Sequence, residues 1–294
     1  MKGSFLIYKP FTAKLICGDC MNIRTDLIAE IKEDVKENLK GAEASEETVG
    51  GVKISTVKLT DKKAARILQK PVGTYCTVEF DRLDFVSDTS DIIKATVKAF
   101  KAVVCGRSEN ALVVGLGNTD ITPDSLGPFV ADRVLATRHL SNELKQDLGL
   151  EGLKSVCCLS PNVLGKTGIE SYDLITAAAK KINPDIIIAV DALAARSPER
   201  LCRTIQISDS GICPGAGVNN ARKELSFGTI GIPVIAVGVP TVIDANGFFK
   251  ADENMMVTPK EIDLLTEKAV QILARAINIF LQPLLDIETI ESLT

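Results

Sequence analysis

The chain has 294 residues, and at roughly 150 residues per domain it holds one large domain or two small ones, with ample length for a core. Hydrophobic residues at 46% and charged residues at 24% exclude a disordered or low-complexity fibrous protein. A formal net charge of −4 and a pI near 5.3 supply no broad cationic field for nucleic acid.

Trp is absent and aromatics are only 4%, so the core must be aliphatic and base-stacking platforms are disfavoured. One histidine, His139, would have to serve any Ser/His/Asp, Cys/His or two-His zinc chemistry, and an HExxH site is impossible. Eight cysteines, several inside apolar runs (Cys105, Cys157, Cys158), read as small hydrophobes in a reducing cytoplasm rather than as a disulfide framework. Cys17 and Cys20 form a lone Cys-x-x-Cys without a second ligand pair.

In chain order, MKGSFLIYKPFTAKLICGDC has no apolar run long enough for a secretory signal. Met21 is an alternative start that would leave the Cys pair untranslated. From Asp26, apolar residues at Leu27, Ile31, Val35 and Leu39 lay one stripe along a helix that Gly41 stops. AEASEETVGG reads as a surface connection, VKISTVKL and YCTVEFDRLDF as β-leaning, and Ile92 to Val104 as helical.

The pattern then alternates short apolar runs with helical segments. The runs are ALVVGLG at 111–117, SVCCLS at 155–160, DIIIAVDAL at 185–193 and PVIAVGVP at 233–240; the helices are expected near Ser125–Leu140 and Gly168–Ile182. Continuous Val/Ile/Leu runs mark strands covered on both faces, which predicts an α/β fold with a mostly parallel sheet and helices on each side. Leu225 to Ile243 is uncharged, but its glycines and prolines make it a loop plus a buried strand rather than a membrane span. Thr258, Pro259 and Glu261 open a C-terminal helix with a capping box, and Pro283 limits it.

In such sheets catalytic groups gather at the carboxyl ends of strands. Asp120 and Asp124 follow the strand ending in Gly115-Leu116-Gly117-Asn118, and Asp191 closes IIIAVD, whereas Asp185 starts its strand at the opposite edge. The glycine turn lacks a dinucleotide fingerprint or a Walker lysine and reads first as a tight strand-to-helix connection. Asp209-Ser210-Gly211 resembles the signature of pepsin-like proteases, but a single copy in an α/β pattern fits better as a polar turn holding the site. His139 suits a helix terminus, and Arg196 could bind a substrate carbonyl or hold an aspartate. Two aspartates sharing a site do not readily both ionise, so one can keep a proton while the other acts as base.

At these residues the chain resembles a known family. GLGNTDITPDSLGP, TRHL, VLGKTGIES, DIIIAVDALAARS, TIQISDSGICPGAGVNNARKEL, IGIPVIAVGVPTVIDA and MMVTPKEID together resemble the spore germination proteases, from about Ile23 to the last helix. The resemblance implies an endopeptidase that degrades small acid-soluble spore proteins during germination in the forespore or spore core cytoplasm. It implies a homotetramer with no required metal or cofactor and no direct contact with nucleic acid or membrane.

It also implies catalysis by Asp124 and Asp191. Asn118, Thr122, Arg196 and Asp209 are supporting candidates. The family removes its own N-terminal segment after an acidic residue that precedes an apolar one, which here places processing between Asp26 and Leu27. Residues 1–26 then form a propeptide-like extension and 27–294 a single α/β peptidase domain. The fold is expected to be related to the hydrogenase maturation endopeptidases, which share the GxGN turn and strand-end Asp and carry a Glu at the Asp124 position. They supply a metal-dependent alternative, and a non-catalytic sporulation scaffold is the second.

Overall fold

Strands β4 (Asn110–Gly115) and β6 (Ile186–Ala195) are runs of Val, Ile, Leu and Ala in which neighbouring residues feed different cores. Side chains alternate across a strand, so Ala111, Val113, Ile186, Ile188 and Val190 enter one cluster while Leu112, Val114, Ile187 and Ala189 enter another. Both faces are buried, and that is why these strands carry no polar alternation.

The computed structural model describes residues 25–30, 39–147, 149–214, 223–244, 255–285 and 287–293. Cys17, Cys20 and Met21 lie outside them. The remaining strands are β1 (Ala42–Val49), β2 (Val52–Leu59), β3 (Gly73–Glu79), β5 (Ser155–Leu159), β7 (Thr204–Ser208), β8 (Val234–Asp244) and β9 (Met256–Val257). The helices are α1 (Lys62–Ile67), α2 (Ser90–Val103), α3 (Leu126–Asp132), α4 (Asn142–Asp147), α5 (Leu164–Thr167), α6 (Ser171–Ile182), α7 (Phe227–Ile230), α8 (Ile262–Leu281) and α9 (Ile287–Leu293). None among the described residues is long and apolar enough to cross a membrane.

The strands make one sheet in the order β1-β2-β3-β7-β8-β6-β4-β5, with β9 against β8. Parallel pairing is confined to β5, β4, β6 and β8, and the other half is antiparallel. The α/β class holds, but the sheet is mixed rather than mostly parallel, with three parallel and five antiparallel pairings among the described strands, and its parallel part carries Asp191. One face packs on α2, α3 and α8, where Phe100 stacks on Phe280, and the other packs on α6 through Ile175 and Ala179.

Several boundaries differ from expectation for identifiable reasons. AEASEETV is a strand rather than a loop: it is an edge strand exposed over most of its length, so no alternation marks it, and Gly50 and Gly51, both at positive φ, turn it into β2. The helix expected from Ser125 to Leu140 stops at Asp132. Buried Asn278 on α8 accepts the Leu135 N–H at 2.8 Å and donates to the Arg133 carbonyl at 3.0 Å, which draws the chain off the helix and leaves His139 in an exposed turn. The capping box at Thr258 does not form, because the Thr258 hydroxyl donates to the Thr241 carbonyl and α8 begins after Glu261. TIQIS, unassigned by its pattern, is β7.

Close backbone approach fixes α3 on the sheet. A Cβ on Gly127 would lie 2.2 Å from the Leu116 carbonyl oxygen and 2.4 Å from that of Val190. Both neighbours are backbone, so nothing flexible can give way. Gly127→Ala is expected to destabilise the fold by about 1–3 kcal/mol, read as a lower urea midpoint at unchanged slope. An unchanged midpoint would mean that α3 shifts freely.

Candidate active site

The parallel half of the sheet changes winding direction between β4 and β6. From β4 the chain crosses through α3 on one face to β5, then returns through α6 on the opposite face to β6 on the other side of β4. Connections that leave in opposite directions open a crevice at the carboxyl ends of the two strands. Asp124 reaches it from the loop after β4, and Asp191 from β6.

Asp124 ends a 3₁₀ turn, Thr122–Asp124, pinned from both sides. The Asn118 N–H donates to the Asp124 carbonyl at 2.9 Å, the Asp124 N–H donates to the Ile121 carbonyl at 2.8 Å, and the Thr241 hydroxyl donates to the Pro123 carbonyl at 2.7 Å. Gly117 sits at φ +122°, and a Cβ there would come within 2.0 Å of the Asp124 carbonyl oxygen. This turn therefore requires glycine.

Asp191 is not the last residue of its strand. β4 stops at Gly115, opposite Val190, while β6 runs on to Ala195 paired only with β8. Asp191 is therefore at the strand end of the neighbour rather than of its own strand, and only 7% of it is exposed. Its carboxyl is pushed well above the usual carboxylate range, first by burial and then by the charges of Asp124 and Asp26, against a stabilising N–H from Ala192 at 2.9 Å.

Beyond β4 the even-numbered amides of β6 face an edge with no strand beside it. Three carboxylates occupy that edge: Asp191 takes the Ala192 N–H, Asp26 takes the Ala194 N–H at 2.8 Å, and Glu30 takes the Arg196 N–H at 2.9 Å together with the Ser197 N–H at 2.8 Å. The Asp26 N–H returns a bond to the Ala194 carbonyl at 2.9 Å. The chain from Leu27 to Glu30 is buried against this edge.

Asp26, Asp124 and Asp191 line one cavity of about 660 Å³, with Lys70 and Gln206 among the other lining residues. The Lys70 Nζ donates to the Asp26 carbonyl oxygen at 2.9 Å, and the Gln206 Nε2 donates to the same oxygen at 2.9 Å. The Gln206 Oε1 accepts the Ile28 N–H at 2.7 Å. Burial pulls the Lys70 ammonium below its ordinary pKa, opposed by the carboxylates of Asp26 and Glu30.

The supporting candidates are placed elsewhere. Asn118 builds the turn, its side chain accepting the Asp120 N–H at 3.0 Å, and Asp120 pairs with Lys166 at the surface. The Thr122 carbonyl accepts from the Ser125 hydroxyl at 2.8 Å. The Arg196 Nη2 donates to the Glu30 carbonyl at 3.0 Å, so it holds the docked segment. The Asp209 carboxylate accepts the Thr74 N–H at 2.7 Å and clips β7 to β3. Lys70 carries no motif; Gln206 stands inside the TIQISDSGI block that carries the family resemblance, where the available signal was a Gln within the apolar run of β7. Among the described residues, no three His, Cys, Asp or Glu side chains cluster as a metal site would require.

The model of the germination protease family matches residues 20–252. The chain belongs to the germination protease family. The germination protease of Clostridium tetani is 38% identical over 92% of this chain and 99% of its own length, and that of Caldanaerobacter subterraneus subsp. tengcongensis is 37% identical over 90% and 95%. That of Priestia megaterium is 45% identical over 76% of this chain and 64% of its own. Membership makes the chain a hydrolase of peptide bonds and a spore protease. Among solved structures, the NiFe-hydrogenase maturation protease HycI from Thermococcus kodakarensis matches at a TM-score of 0.39 and 18% identity, covering 62% of this chain and 97% of that one, a likeness too slight to inform the site.

The raised pKa of Asp191 has a consequence for stability in this germination protease. A carboxyl that ionises at higher pH folded than unfolded opposes folding increasingly as pH climbs from about 4 towards the folded pKa, at about 1.4 kcal/mol per pH unit. Asp191→Asn is therefore expected to raise the melting temperature at pH 7, with the gain shrinking as pH falls to about 4. Thermal unfolding across that range checks it; a gain independent of pH would place its cause elsewhere.

Proposed function

We propose that this chain degrades small acid-soluble spore proteins during germination, is made as a zymogen, and frees itself by cutting between Asp26 and Leu27. The observation that carries this reading is that Asp191, whose carboxyl is pushed well above the usual carboxylate range by burial and by the charge of Asp124, shares a cavity with Asp26. Asp191 then serves as the acid and Asp124 as the base.

Water gives a proton to the Asp124 carboxylate as its oxygen bonds to the scissile carbonyl carbon, and the carbonyl π pair moves onto oxygen. The C–N bond then breaks, its electron pair takes the Asp191 proton, and the products are a carboxyl group and a free amine. The proton gained by Asp124 later returns to Asp191. The preference for an acidic residue followed by an apolar one is supported by the Ala194 N–H on the Asp26 carboxylate and by Leu27 standing fully buried in the core. The spore-core setting and tetrameric state follow the family resemblance, and the reaction needs no metal.

The test incubates the purified protein, with and without chelator, with a small acid-soluble spore protein and maps fragments and the new N-terminus by mass spectrometry. Wild type is expected to cut after acidic residues and to yield a chain beginning at Leu27, and Asp191→Asn or Asp124→Asn to lose about 100-fold or more in rate. Activity abolished by chelator would favour a metallopeptidase, and no cleavage by any form would leave a scaffold.

A further inference from the structure

The carbonyl oxygen of the Asp26–Leu27 bond receives two side-chain donors, the Lys70 Nζ and the Gln206 Nε2, each at 2.9 Å. That is the distance range of a site built for a developing oxyanion. The segment is also held by β6 amides on Asp26 and Glu30 and by the Arg196 Nη2 on the Glu30 carbonyl, so the two donors, of which Lys70 also reaches the Thr25 carbonyl at 3.5 Å, add to docking that other contacts already supply. Gln206 grips two neighbouring peptide groups, donating to the Asp26 carbonyl and accepting the Ile28 N–H at 2.7 Å. The leaving nitrogen, that of Leu27, is oriented by its N–H bond to the Thr25 hydroxyl at 3.0 Å.

Both donors are fixed by the fold. Gln206 on β7 is opposite Gly238 on β8, which is opposite Asp191 on β6, so the three lie in one row of the sheet and their side chains belong to the same face. Adjacent strands are about 4.8 Å apart, which sets Gln206 and Asp191 roughly 10 Å apart across a glycine, a gap suited to one peptide group between them. Lys70 follows α1 and is tied down by its own N–H to the Ala65 carbonyl at 3.0 Å and by the Tyr75 hydroxyl on the Pro71 carbonyl at 2.7 Å.

We propose that Lys70 and Gln206 form the oxyanion site of this protease, polarising the scissile carbonyl that the aspartate pair attacks. As the water oxygen bonds to the carbonyl carbon, the displaced π pair places negative charge on the oxygen that both donors already touch. The charge returns to re-form C=O when the C–N pair leaves with the acid's proton, so neither Lys70 nor Gln206 transfers a proton. A cationic donor strengthens most as that charge develops, which assigns Lys70 the larger share. The inference rests on reading Asp26–Leu27 as a bond the enzyme cuts.

The test follows the first-order conversion of the full-length precursor to the chain beginning at Leu27, by intact mass, in wild type, Lys70→Met, Lys70→Arg, Gln206→Leu and Asp191→Asn. Hydrogen exchange of the Leu27–Glu30 amides is measured alongside. Lys70→Met is expected to slow conversion about 100- to 1,000-fold and Gln206→Leu by at least tenfold, while Lys70→Arg, which keeps a cationic donor, stays within about tenfold of wild type. Protection of Leu27 and Glu30 is expected to stay at the wild-type level in Lys70→Met.

Conversion by Lys70→Met and Gln206→Leu at near wild-type rates, in a wild type that processes, would overturn the oxyanion site and leave the proposed function standing. A slowed rate together with lost protection would also overturn it, because the donors would then only hold the segment. A wild type that never cuts at Leu27 would remove the processing reading and this inference with it. If Lys70→Met fails to fold, Gln206→Leu and Lys70→Arg decide between the same outcomes.

Discussion

The site depends on a difference in strand length. β6 continues past the end of β4, and the amides on the abandoned edge must find acceptors, since a buried N–H without one costs about 1–3 kcal/mol. No strand supplies them. Asp191, Asp26 and Glu30 do, each with a carboxylate on an even-numbered amide or its neighbour. A requirement of sheet chemistry thereby gathers negative charge where the winding of the sheet opens a crevice.

That gathering explains the electrostatics. Carboxylates crowded beside a buried one raise its pKa, and at Asp191 burial adds the larger push in the same direction. Lys70 is the cation among the described lining residues, and its carbonyl contacts direct it at a peptide group rather than at Asp191. A cation paired directly with Asp191 would lower its pKa and remove the proton that an acid needs. The arrangement keeps positive charge at the Asp26 carbonyl.

Much of this was legible in the residues. Continuous apolar runs gave β4, β5, β6 and β8, and the strand-end rule pointed to Asp120, Asp124 and Asp191, which the family resemblance narrowed to Asp124 and Asp191. β1 was not legible because an exposed edge strand has no face to bury and so no alternation to show. The end of α3 was not legible because Asn278, more than a hundred residues away in the chain, decides it. Asp209 and Arg196 were recognisable as polar residues near the site, but only three-dimensional packing could show that they clip β3 and hold Glu30. Lys70 and Gln206 come from the antiparallel half of the molecule, distant in sequence from either aspartate, and no spacing rule links them.

The glycines show how position and chemistry are joined. Gly127 lets α3 approach the Val190 carbonyl, Gly117 lets the loop turn under Asp124, and a Cβ on Gly238 would lie 2.5 Å from the Asp191 carbonyl oxygen. Gly238 is opposite Asp191 in the ladder, Gly127 follows Asp124 closely in the chain and Gly117 packs against the Asp124 carbonyl, and each trades local conformational entropy for a fixed backbone. Rigidity of that kind keeps the buried Asp191 beside the charge of Asp124, which together with burial holds its carboxyl above the usual carboxylate range.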